Sequence, residues 1–197
     1  AIINTCYSSA VLDLAKRYGD EFRLLWAKAI SLDPKVLPVQ ERSQLFQAHA
    51  FVKASGVKSL EAPALLKTDE IALKAAVHRS RAQNEVSGIL DDLGFHHLAE
   101  VSPVTKENMF PLPGGMLAID MACRKQMIAI AFDGPFHFLR AVGSGKVLEV
   151  ENGATKAKRR FLERLGWKLV NIQYFDWDKA KSKSKRSFVS EILKEVD

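Results

Sequence analysis

Cysteine is scarce in this chain: Cys6 and Cys123 are the two present in 197 residues, far apart and outside any C-x-x-C pair. That spacing argues against a disulfide framework and against a zinc site, and it fits a reducing compartment. Long apolar runs are also missing. No stretch approaches the ~20 residues needed to cross a bilayer, and the opening Ala1-Ile2-Ile3-Asn4-Thr5 lacks the basic flank and apolar core of a signal peptide. A soluble chain without a membrane partner is expected. The sequence does not start with Met, so a fragment or processed form is expected, with any targeting segment lying upstream. No internal repeat stands out.

What is present is enough to fold. A hydrophobic content of 47% over this length supports one generous domain or two small ones. The net charge of +6 is unevenly placed. Between Arg140 and Arg186 there are 13 Lys or Arg against 5 Asp or Glu, net +8, which leaves −2 for the rest of the chain. The basic excess therefore belongs to the C-terminal part, as expected of a chain that meets a polyanion there.

Periodicity divides the chain in the same way. From Ser8 to Ile30 apolar residues recur at three- and four-residue spacing with a break at Gly19, predicting a helical pair. Asp33-Pro34 resembles a helix start, and Pro38 to Ala54 predicts an amphipathic helix with Leu45, Phe46, His49 and Val52 inward, stopped at Ser55-Gly56. A further helix is expected from Thr68 to about Arg79, with Asp69 and Glu70 in its first turn. Ser80 to Leu93 predicts another, closed by Gly94. The period then changes. His97 to Val101, Met116 to Met121 and Met127 to Phe132 are short apolar runs bounded by Pro, Gly or charge, as strands are. A basic helix over Thr155 to Leu165 ends at Gly166, a strand runs from Trp167 to Tyr174, and a last helix covers Ser184 to Val196. A helical region over residues 1–79 followed by an α/β domain over 80–197 is expected.

The segment Ile128 to Phe138 contains a strand ending in Asp133-Gly134-Pro135 and a His137 flanked by Phe136 and Phe138; a basic helix and Gly166-Trp167 follow. This pattern resembles the RAP domain, an RNA-associated module, with the likeness extending over roughly residues 80 to 195. The resemblance implies a restriction-endonuclease-like mixed sheet flanked by helices, related to the very-short-patch repair endonucleases, behind a helical N-terminal segment. It also implies RNA as the partner and a role in organellar RNA metabolism: processing, stability or translation of mRNA or rRNA. The implied location is the mitochondrion, with the plastid as the alternative.

Nucleases of that fold hold a divalent cation with carboxylates on neighbouring strands, because a hard cation needs oxygen ligands and offsets the charge that develops on phosphorus. Asp120, Asp133 and Glu85 are the residual candidates. Strand alternation puts Ala131 on the same face as Asp133, where the related pattern usually carries an acid, and Gly134-Pro135 stands where a catalytic lysine would follow. Losing one electrostatic donor commonly costs ~3 kcal/mol of transition-state stabilisation. Binding without efficient cleavage is therefore preferred to catalysis, with no metal or cofactor expected and Mg²⁺ needed only if nuclease activity is retained.

For binding, the basic helix offers Thr155, Lys156, Lys158, Arg159, Arg160 and Arg164, close to a helix N-terminus that favours phosphate. Lys156, Arg160 and Arg164 share a stripe at four-residue spacing, although a solvated helix face would show the same charges. If ~5 phosphates of a single strand were neutralised, log K would fall with log salt at a slope near −3.5. His137 is either a phosphate or base contact or a hydrogen-bonded structural residue. Among Phe136, Phe138, Trp167, Tyr174 and Trp177, most are expected in the core, with Tyr174 and Trp177 favoured as stacking residues near a strand end. Asp133-Gly134-Pro135 equally describes a strand-ending turn. Lys179, Lys181, Lys183, Lys185 and Arg186 read as a solvated connector that adds nonspecific affinity. His96-His97 is assigned no role. Two further functions remain open: a structural RNA-binding subunit of a mitochondrial ribosome, whose N-terminal helices contact protein neighbours, and a metal-dependent endoribonuclease.

Overall fold

The computed structural model describes residues 1–57, 60–64, 79–104, 112–113, 115–180 and 182–194. The helix expected from Thr68 to Arg79 lies, apart from Arg79, outside the described residues. The architecture is mixed α/β, with helices first and a mixed sheet flanked by helices after them. The residues group into two compact units, 1–77 with 102–117 and 156–165, and 78–101 with 118–155 and 166–197. The two units interleave along the chain, and the first takes in most of the basic helix.

In the first unit, α2 (Gly19–Ile30) and α3 (Val39–Ala54) carry apolar stripes read from the sequence, whereas the first helix, α1 (Ile2–Val11), starts ahead of the expected Ser8 and ends before most of the stripe from Leu12 to Tyr18, which lies in turns. Leu45, Phe46, His49 and Val52 are all buried, as their spacing requires. Gly56 at φ +89° is the left-handed residue that lets the chain leave α3. Asp33 does not open a helix. Its Oδ1 accepts a hydrogen bond from the Lys35 N–H at 2.9 Å, so Asp33-Pro34 forms an Asx turn ahead of Pro38. Trp26 and His49 stack at 6.0 Å and pin the segment after α3: Trp26 Nε1 donates to Glu61 O at 2.9 Å, and His49 Nε2 lies 3.2 Å from Leu60 O. Burial pushes the Cys6 thiol up to about 11, which keeps it an inert core group.

The second unit is built on a four-stranded sheet in the order β1 (Leu98–Val101), β2 (Ile119–Cys123), β3 (Ile128–Asp133), β6 (Lys168–Gln173). The first two pairings are antiparallel and β3 with β6 is parallel. Central strands are covered on both faces, which is why β3 reads as the unbroken run Ile-Ala-Ile-Ala-Phe. On one face Ile128, Ile130, Phe132, Val170 and Ile172 pack with Val86 and Leu90 of α4 (Arg81–Asp92), Trp177 of α6 (Tyr174–Lys179) and Val189 of α7 (Ser182–Lys194). The register places Asp120, Ala131, Asp133 and Asn171 on the opposite face.

The chain between β3 and β6 holds a short 3₁₀ turn, Pro135–His137, and a hairpin of β4 (Phe138–Arg140) and β5 (Val147–Glu151). The basic helix α5 (Gly153–Arg164) follows, with Gly166 at φ +86° behind it. Neither the hairpin nor α6 was expected. The hairpin strands are short and carry few inward residues, and α6 begins inside the apolar run that predicts β6.

Candidate nucleic-acid interface

The parallel pair β3 and β6 brings a polar cluster together at its C-terminal end. Asp133, the last residue of β3, is 2% exposed. A buried carboxylate is costly without donors, and it has two. Asn171 Nδ2 donates to Oδ2 at 2.9 Å, and His137 Nδ1 lies 3.2 Å from Oδ1. His137 Nδ1 is also 3.2 Å from Thr155 Oγ1. Asp133-Gly134-Pro135 is thus both a strand-ending turn and the foundation of this cluster: it turns the chain so that His137, four residues on, folds back over the carboxylate. Nδ1 of His137 faces both Asp133 Oδ1 and Thr155 Oγ1, which leaves Nε2, on the far side of the ring, for another partner. The His137 side chain is 39% exposed, so such a partner has access.

Asn152 locks the turn to the start of α5. Its Oδ1 accepts from the Thr155 N–H at 2.9 Å, which caps the helix, while its Nδ2 donates to Phe136 O at 2.8 Å and its N–H to His137 O at 2.9 Å. Sequence reasoning placed the start of this helix at Thr155 and missed both the cap and Asn171. The signal was available in Asn152-Gly153, an N-cap residue just ahead of the basic helix.

Of the three candidate carboxylates, Asp120 and Asp133 share one face of the sheet and Glu85 does not join them. Asp120 Oδ2 accepts from the Phe132 N–H at 2.8 Å, so this carboxylate closes the β2–β3 ladder beyond its last pair. Glu85 lies on α4, in the helix layer that covers the other face of the sheet, and both its oxygens are 3.1 Å from Lys185 Nζ. Ala131 offers no ligand beside Asp133, and no group of three acidic, His or Cys side chains able to hold a metal ion occurs among the described residues. Among the described residues, Asp120, Asp133 and Glu85 do not form one ligand set.

Within the first unit, the basic helix uses two of its expected phosphate ligands internally. Arg160 donates to Val11 O at the end of α1, and Arg164 forms a double hydrogen bond to Asp13, 3.0 Å to Oδ1 and 2.5 Å to Oδ2. Those hydrogen bonds, partly opposed by burial and aided by the charges of Arg164, Arg160 and Lys16, hold the Asp13 carboxyl below its usual range. The stripe of Lys156, Arg160 and Arg164 is therefore not uniformly available: Lys156 is exposed, Lys158 and Arg159 are half-buried, and Arg160 and Arg164 brace α1.

The aromatic expectations also change. Trp177 is 2% exposed, packed edge-on to Phe132 at 6.1 Å with Lys185 Nζ 4.5 Å from its ring centre, so it presents no stacking face. Tyr174 is half-buried against Phe138 and Phe175. The exposed ring is Phe136, 85% accessible, which the sequence reading had grouped with residues mostly expected in the core. Of the second basic cluster, Lys185 and Arg186 stand on α7 and not on a connector; Lys185 holds Glu85, and Arg186 bonds Asp92 O at 3.1 Å. Lys181 lies outside the described residues.

The strand ending in Asp133-Gly134-Pro135, His137 between two Phe, the basic helix and Gly166-Trp167 are the sequence features on which the resemblance rested. The RAP domain family model matches residues 130–192, from the middle of β3 into α7, so this segment is similar to a RAP domain, a likeness that suggests RNA as the ligand.

Proposed function

We propose that the protein acts in organellar RNA metabolism, in the mitochondrion, by holding the backbone of a single-stranded or structured transcript without efficient cleavage. The observation that carries this reading is the Asp133, His137 and Thr155 cluster. Asp133 orients the imidazole so that Nε2 faces outward, where it donates to a phosphate oxygen when protonated or accepts from a ribose hydroxyl when neutral. Positive charge concentrated between Arg140 and Arg186 supplies long-range attraction. The orientation of Asp120 toward the backbone and of Glu85 toward Lys185 supports binding over hydrolysis.

The test is fluorescence anisotropy with labelled single-stranded RNA over a salt series. Affinity is expected to fall steadily with salt, and His137→Ala to weaken binding about tenfold, the scale of one charge-assisted hydrogen bond. A salt-independent affinity, or His137→Ala binding like wild type, would sink this reading. Incubating the same RNA with Mg²⁺ or Mn²⁺ is expected to give no turnover; cleavage abolished by Asp133→Ala would replace binding with catalysis.

A further inference from the structure

We propose that Phe136, backed by the Arg140 guanidinium, is a stacking platform for one nucleobase of single-stranded RNA, next to the backbone contact at His137. The proposal rests on the RNA-binding reading above. Phe136 is 85% exposed, so its ring face is open to a ligand, and it stands on a rigid support. Pro135 sets the entry to the 3₁₀ turn, the Phe136 carbonyl accepts from Asn152 Nδ2 at 2.8 Å, and the His137 N–H donates to Gly134 O at 3.0 Å. Ordering this ring on binding therefore costs little entropy.

The Arg140 guanidinium lies 5.7 Å from the Phe136 ring centre and its Nη1 reaches Gly145 O at 3.4 Å, so a planar cation and a planar ring stand together at the foot of the hairpin. Both kinds of plane stack on bases. The charge balance separates stacking from simple phosphate attraction. β4, β5 and their connection carry Arg140 and Lys146 against Glu149 and Glu151, a neutral set with no excess attraction for a polyanion. What this segment offers a nucleotide is the ring. Consecutive residues are 3.8 Å apart along the backbone, so base and backbone of one nucleotide can meet Phe136 and His137 together.

The probes are a fluorescein-labelled uridine 12-mer and the same oligonucleotide with its central bases replaced by abasic ribose. Phe136→Ala is expected to weaken the uridine 12-mer roughly tenfold with an unchanged salt slope, Phe136→Tyr to restore it, and the abasic probe to bind both proteins equally. The ring is on the surface, and circular dichroism of each variant checks its fold. In a Phe136→Trp protein, quenching by the uridine 12-mer and not by the abasic probe is the expected direct signal. If wild type binds RNA and Phe136→Ala binds it equally, the platform is wrong and the RNA reading stands. Equal loss on both probes would overturn it in favour of a contact that does not read bases. If wild type binds neither probe, the RNA reading itself fails.

Discussion

At the scale of single residues, Asp133 and His49 show how burial decides what a titratable group does. Replacing Asp133 with Ala leaves the Asn171 amide and the His137 imidazole without their acceptor, so a loss of ~1–3 kcal/mol in urea unfolding is expected, with Asn at 133 recovering part of it. His49 is buried against Trp26, and desolvation is the main cause that holds its pKa below the ordinary 6.5, with Lys53 adding to it and the Leu60 carbonyl opposing. The unfolded chain then binds the proton more readily than the folded one. The stabilisation from a neutral His49 is complete above pH 6.5 and is lost as pH falls below it, at up to about 1.4 kcal/mol per unit. Urea midpoints followed by tryptophan fluorescence are expected to drop between about pH 7 and pH 5 in wild type and to flatten in His49→Phe. Asp13 contributes in a separate window: its carboxyl is held below 3.8, so its share is present above that value and is lost only on further acidification.

At the scale of elements, each end of a helix is decided by a few polar groups. Ser80 Oγ accepts from the Gln83 N–H at 3.1 Å and Gln83 Oε1 from the Ser80 N–H at 2.6 Å, a reciprocal box that starts α4. Ser80→Ala is expected to cost ~1 kcal/mol in thermal or urea unfolding, and Ser80→Asp close to nothing. The basic helix α5 shows what spacing alone misses. Lys156, Arg160 and Arg164 fall on one stripe, yet two of them meet the end of α1, where Asp13 at φ +60° presents its carboxylate. Both partners of the Asp13–Arg164 pair are about a third exposed, at 37% and 31%, so Arg164→Ala is expected to cost under ~1 kcal/mol of stability and to leave RNA affinity within about twofold. A tenfold affinity loss in that variant would return Arg164 to the phosphate ligands.

At the scale of the whole molecule, the charge excess remains but fewer charges are available to a ligand. With Arg160 and Arg164 engaged internally, fewer phosphates are neutralised by the helix and the expected slope of log K against log salt is shallower than −3.5. A slope of −3.5 or steeper would mean that the internal pairs open on binding.

The sequence by itself determined what depends on local pattern. The periodic stripes of α2 and α3, the run of β3, the Gly166 stop and the Asp-Gly-Pro turn with its RAP likeness are all written in neighbouring residues, where side-chain period and backbone freedom act. Tertiary structure alone decided which of several like residues meets what. Asp13 is 151 positions from Arg164, and Glu85 is 100 from Lys185; no local rule links either pair. Trp177 is buried because α6 packs on the sheet, and Phe136 is exposed because it stands on the 3₁₀ turn beyond the end of β3. Burial and ion pairing are set by long-range packing, so they stayed hidden until the fold placed those side chains together.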